Sequence, residues 1–357
     1  MYFNTIGEIS KHLEVSKRKD NEVLMVLVSD KSAGQVSELR DMLNRKEITF
    51  FGAIYPALLV GDKTHREGFI VQHFEPLYCG LVLPFMMRFP LEKEDLAGTT
   101  SIVLVDGLTS RFKDLTDTLE AKVGSKTKYI GGGAGFYSLE QKPCIFDNKG
   151  IYQDGLYLCI LKQDVVLAVE HGWKQMEGPF TITKSKDNVL MQLDGIPAFE
   201  VYRDIIIEHE NIRISREDFF SFAKDYPFGI EKKGEQSYIV RDPISVDNNE
   251  DILCVANLPQ GYNLYVLHGN KDTLLGSSQL IATYCSYKAP EKYRPLLFDC
   301  ISRAMFLEDD FEKELRNIQE KLKYQVEGAL SIGEIASAKS GEIVIHNKST
   351  IIGLVAE

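Results

Sequence analysis

The chain has 357 residues, 44% hydrophobic and 26% charged, and 41 basic against 52 acidic side chains give a formal net charge of −11. These proportions suit two or three globular domains with sizeable cores, and they argue against a general nucleic-acid binder, whose affinity comes from lysines and arginines neutralising phosphates. Cys79, Cys144, Cys159, Cys254, Cys285 and Cys300 are widely scattered with no CxxC pair, so they read as reduced thiols of a cytoplasmic protein. No apolar signal core opens the chain, and its apolar runs are too short for a bilayer, so no membrane insertion is expected.

In chain order, Thr5 and Glu8 form a capping box for a helix with Ile6, Ile9 and Leu13 at helical spacing. The apolar run "EVLMVLVS" (Glu22 to Ser29) reads as a strand, followed by a helix on Val36, Leu39 and Leu43 and a strand in "ITFFGAIY". The same β-α-β order recurs in "TSIVLVDG", a helix through Phe112, Leu115 and Leu119, and "TKYIGG", which predicts sheets covered by helices. From Lys142 to Leu193, short apolar runs separated by turn residues read as an antiparallel meander, with a reversal at Lys162 to Asp164. Helical spacing returns in "IPAFEVYRDIIIEH" and "SREDFFSFAKD", then "DILCVANL" and "GYNLYVLHG" read as strands and "TLLGSSQLIATYC" as a helix.

Glu308 to Lys323 reads as one helix, with an apolar stripe of Phe311, Leu315, Ile318 and Leu322, acidic residues at its start and lysines at its end. "GALSIGEI", "GEIVIHN" and "TIIGLVA" close the chain as strands. The expected fold is α+β, with mixed and antiparallel sheets flanked by helices. Two domains are expected, residues 1–197 and 198–357, with the boundary placed near Pro197 by texture.

Three stretches carry candidate chemistry. "YIGGGAGFY" brings glycines, including Gly132 and Gly133, to a strand end where a backbone could approach an anion; the alternative is a close-packed turn, since Phe136 breaks the dinucleotide fingerprint. "EHGW" places His171 beside the single tryptophan, Trp173, but no histidine spacing signals a metal site. "LLFDCISRAMFL" sets Asp299, Cys300 and Arg303 in an apolar run, where Arg303 could pair with Asp299, lower the thiol's pKa or bind an anionic ligand. A buried Asp–Arg pair fixing how strand meets helix is the structural alternative.

"IGGGAGFYS", "EHGW", "MQLDGIPAFEVY", "YPFGI", "YIVRDP", "LFDCISR", "GALSIGEI" and "IHNKST" follow one another in the order expected of FIST proteins, and the chain resembles that family from its FIST N domain through its FIST C domain. The resemblance implies family positions at Gly131, Gly132, Gly133, His171, Gly172, Trp173, Pro197, Pro227, Arg241, Cys300, Arg303, Gly333, Glu334, His346, Asn347 and Thr350. Tyr226 and Ser331 depart mildly from the pattern.

Such proteins are regarded as ligand-sensing modules of signal transduction in bacteria, so the resemblance implies a non-catalytic sensor of a small molecule, with amino acids one proposed class. Its expected ligand residues are Arg303, Cys300, Glu334, His346, Asn347, Arg241, His171, Trp173, Gly132 and Gly133, gathered in an open polar pocket where arginine and carboxylate hold a zwitterion. With no output domain before Glu357, signalling to a separate protein such as a histidine kinase or cyclase is expected. The alternatives are a haem-binding nitric-oxide sensor with His171, His346 or a cysteine as axial ligand, an adaptor without ligand, and an enzyme using Cys300 as nucleophile.

Overall fold

Three strand–helix–strand units organise the chain in a computed structural model that describes residues 1–16, 19, 21–231 and 238–357. Strands Val23–Ser29 and Phe50–Tyr55 pair in parallel through helix Val36–Arg45, and strands Thr100–Asp106 and Lys128–Ala134 through helix Phe112–Lys122. The third unit pairs Tyr293–Cys300 with Glu327–Ser331 through helices Ile301–Leu307 and Phe311–Gln319. Val23–Ser29 and Thr100–Asp106 are buried along their whole length, which is why they read as unbroken apolar runs and not as alternating ones. Each parallel pair sits in a sheet that also carries antiparallel partners, so the class is α+β with mixed sheets.

Among the described residues, the strands form three six-stranded sheets and one of eight. Only one of the four, around Val23–Ser29, is built wholly from residues before Pro197. Elsewhere Leu58–Val60 pairs with Glu327–Ser331, Lys128–Ala134 with Glu334–Ser337, Val165–Glu170 with Thr350–Ala356, and Lys174–Lys186 with Asn263–His268. The division near Pro197 is thus a point in the sequence that three sheets cross.

Three local expectations change. The Lys142 to Leu193 region is not one meander. Its strands Ile145–Asp147, Leu156–Leu161, Val165–Glu170 and Lys174–Lys186 go to four different sheets. "GALSIGEI" is two strands, Glu327–Ser331 and Glu334–Ser337, separated at Gly333, whose φ of +87° lets the chain turn from one sheet into another. Glu308–Lys323 is a 3₁₀ turn, Glu308–Asp310, followed by the shorter helix Phe311–Gln319; Glu308 takes a φ of 53°, where the preceding helix Ile301–Leu307 ends. Thr5 caps helix Ile6–Val15 as expected, accepting the Glu8 amide, while the Glu8 carboxylate accepts the Asn4 amide at 2.8 Å.

Candidate functional site

Asp299, Cys300 and Arg303 stand where strand Tyr293–Cys300 becomes helix Ile301–Leu307, and the change of geometry sends them to opposite sides of the sheet. Arg303 has no exposed surface. Its Nε donates to Glu314 Oε1 at 2.9 Å, Nη1 to the His171 carbonyl at 2.5 Å, and Nη2 to the Leu274 carbonyl at 2.6 Å and Ser277 Oγ at 3.2 Å. Asp299 lies 3.9 Å away, the helical i,i+4 neighbour that the spacing anticipated. Thr350 Oγ1 joins the two acids, lying 2.9 Å from Glu314 Oε1 and 3.2 Å from each Asp299 oxygen.

Burial, and then the Glu314 charge, push the Asp299 carboxyl well above the usual carboxylate range. Burial alone would lower the Arg303 guanidinium, but Glu314 and then Asp299 outweigh it and raise its pKa. This corrects the expected open pocket around Arg303. Its guanidinium ties strand, helices and the His171 turn together, and it borders none of the cavities described here.

Cys300 faces the other way, beside a cavity of about 240 Å³. Leu108, Leu139, Phe220, Ile244, Val255, Ile301 and Ile332 supply its apolar walls, and Asp242, Ser302, Gly333 and Asn347 complete the lining. Asn347 is 1% exposed; its Nδ2 donates to the His346 carbonyl at 3.0 Å, and its Oδ1 has no hydrogen-bond partner among the described residues. Asp242, 2% exposed, lies 3.1 Å from Nζ of the fully buried Lys348. That ammonium also donates to the Lys224 carbonyl at 2.8 Å and sits 5.4 Å from the Trp173 ring centroid.

Behind Cys300, the fully buried Glu334 accepts Ser331 Oγ at 2.7 Å and the Ser349 amide at 3.3 Å, as well as the Cys300 thiol. Burial raises Glu334 to about 8 against these bonds. Burial and then the Glu334 charge push the Cys300 thiol well above its ordinary value, so it is a neutral hydrogen-bond donor and not a thiolate.

The remaining expected residues disperse. Trp173 is a buried core residue whose indole donates to the Lys348 carbonyl at 3.2 Å. Gly132 and Gly133 are mid-strand packing positions: an added Cβ would stand 2.7 Å from Phe298 Cδ1 at the first and 2.0 Å from the Ile332 carbonyl oxygen at the second. The anion-approach reading of these glycines gives way to close approach of neighbouring chain. Arg241 borders a different cavity with Asn257 and Tyr262, and His171 and His346 border a third, of about 240 Å³, with Tyr238.

His171 is not set up as a haem ligand. The Trp173 amide donates to His171 Nδ1 at 3.0 Å, which leaves the ring proton on Nε2 and no lone pair for a metal. Burial lowers His171 to about 4, so the ring stays neutral. Cys300, held as a thiol, is no better an axial ligand.

Asp242 and Lys348 were missed by the sequence reading. Both stand inside motifs already noticed, "YIVRDP" and "IHNKST", but only the pairing of distant chain segments shows that they form an ion pair beside Cys300. Two family models match the chain: the FIST N domain over residues 4–196 and the FIST C domain over residues 198–337. No curated protein matches it.

Proposed function

The chain belongs to the FIST family, whose domains are associated with sensing in signal transduction, and on that premise we propose that it holds a small molecule in the Cys300–Asn347 cavity and signals to a separate partner. The single observation that carries this reading is the Asn347 side chain. A nearly wholly buried carbonyl oxygen without a donor, on a residue that lines a cavity, costs about 1–3 kcal/mol until something supplies an N–H or O–H. The apolar walls select a largely apolar body, and the volume lies below the roughly 300–1,000 Å³ of drug-sized pockets, so the ligand is a small metabolite with at least one donor. An ammonium of an amino acid meets that requirement at Asn347, with the Asp242–Lys348 pair alongside. Leu108 and Leu139 come from the FIST N region and Asp242, Cys300 and Asn347 from beyond residue 197, so a guest touches both matched regions at once.

The reading is non-catalytic, supported by a Cys300 thiol that burial keeps protonated. Native mass spectrometry of the cell-purified chain, with thermal denaturation against a panel of amino acids and amines, tests it. Wild-type protein should retain or be stabilised by a small molecule, and Asn347→Leu and Val255→Phe should abolish the effect while remaining folded. No ligand effect in wild type, or an equal effect in both variants, refutes the cavity assignment. A Soret band on purification would instead favour the haem sensor.

A further inference from the structure

Arg241 presents a problem that its neighbours do not solve. It is 7% exposed, on strand Ile239–Arg241, and its donors reach backbone carbonyls only: Nε to Asn257 at 2.9 Å and Nη1 to Val240 and Ile345, each at 3.0 Å. Carbonyls orient a guanidinium but leave its charge in place. Among the described residues no carboxylate pairs with Arg241, and Nη2 has no hydrogen-bond partner. The adjacent acid, Asp242, belongs to the ion pair with Lys348 beside the Cys300 cavity. A buried charge without a counter-charge is costly, and here burial depresses the guanidinium to about 10.

The arginine also borders a cavity of about 290 Å³. Its walls include Phe112, Ile230, Ile239 and Tyr262, with Lys113 from the first turn of helix Phe112–Lys122. We propose that Arg241 is the floor of a second binding site, which takes the carboxylate of a small apolar monoacid, with Nη2 as its donor. The apolar walls take the body of the acid. One donor group is left on the arginine, which suits a single negative charge. Glu342 also borders the cavity and is itself engaged, so it opposes a doubly charged phosphate and favours the monoanion. The inference does not rest on the Cys300–Asn347 reading, since the two cavities share no lining residue.

The test uses the full chain and benzoate as probe, with benzyl alcohol as its neutral counterpart and sodium chloride at equal ionic strength. Wild-type protein should show a saturable rise in melting temperature with benzoate alone. Arg241→Met should weaken benzoate binding about ten-fold or more, the loss expected for a hydrogen bond to a charged group. Thr116→Phe, which fills the cavity from the helix side and disturbs only bonds within its own helix, should abolish it. Val255→Phe, which fills the other cavity, should leave benzoate binding unchanged, so failure of one site is distinguishable from failure of the other. The proposal is overturned if wild type shows no saturable benzoate effect, if benzyl alcohol matches benzoate, or if Thr116→Phe binds as wild type does. The last comparison holds even should Arg241→Met not fold.

Discussion

Replacing Arg303 with methionine removes the guanidinium while keeping most of the side-chain volume. The fully buried Glu314 then loses its charge partner, and the His171 carbonyl loses the Arg303 donor, while the Leu274 carbonyl keeps the Ser277 hydroxyl at 2.8 Å. Breaking a buried pair from one side costs roughly 3–5 kcal/mol, and the lost donor at the His171 carbonyl adds about 1–3 kcal/mol. These contributions overlap, so a net loss of about 4–6 kcal/mol is expected, a large share of the roughly 5–15 kcal/mol that holds a domain together. Urea unfolding followed by fluorescence measures it, since the single tryptophan, Trp173, is 2% exposed and its surroundings change on unfolding. The double variant Arg303→Met with Glu314→Leu should recover a substantial part of the loss, because it removes the stranded Glu314 charge. A single variant within about 1 kcal/mol of wild type would refute the structural role, as would a double variant no better than the single.

Glu334 makes stability depend on pH. Its folded pKa of about 8 lies above the ordinary carboxylate value near 4.5, so between those values the folded state holds a proton that the unfolded state has lost. Stability from this group is therefore complete below about pH 4.5 and declines as pH rises through about 8, at no more than about 1.4 kcal/mol per pH unit. Urea midpoints from pH 5 to 8 should fall more steeply in wild type than in Glu334→Gln, and parallel slopes would show that Glu334 titrates normally. Iodoacetamide at neutral pH should modify Cys79 first, the one cysteine that is not buried, and should reach Cys300 only on unfolding. Mass spectrometry reads the order; rapid labelling of Cys300 in the native protein would revive the nucleophile reading.

Local pattern explains which parts of the molecule were legible in the sequence. Strands buried on both faces, such as Val23–Ser29 and Thr100–Asp106, need an unbroken apolar run, and helices such as Val36–Arg45 need a stripe, so both announce themselves over a few residues. The strand–helix–strand order was legible too and pointed to sheets covered by helices; that the flanking strands pair in parallel is what the structure adds. Spacing likewise anticipated the Asp299–Arg303 neighbours. Nothing local could say that Ile145–Asp147 and Leu156–Leu161, a few residues apart, enter different sheets. That choice depends on distant strands.

The site divides in the same way. The residue types were visible in "LFDCISR", "YIVRDP" and "IHNKST", and membership of the family could be read from their order. Their environments were decided by tertiary packing. Helix geometry turns Arg303 into the core against Glu314, while Cys300, three residues earlier, meets a cavity with Asn347. Whether a charged group is sealed or left beside empty space depends on what long-range pairing brings against it, and a linear pattern of side chains carries no record of the space between them.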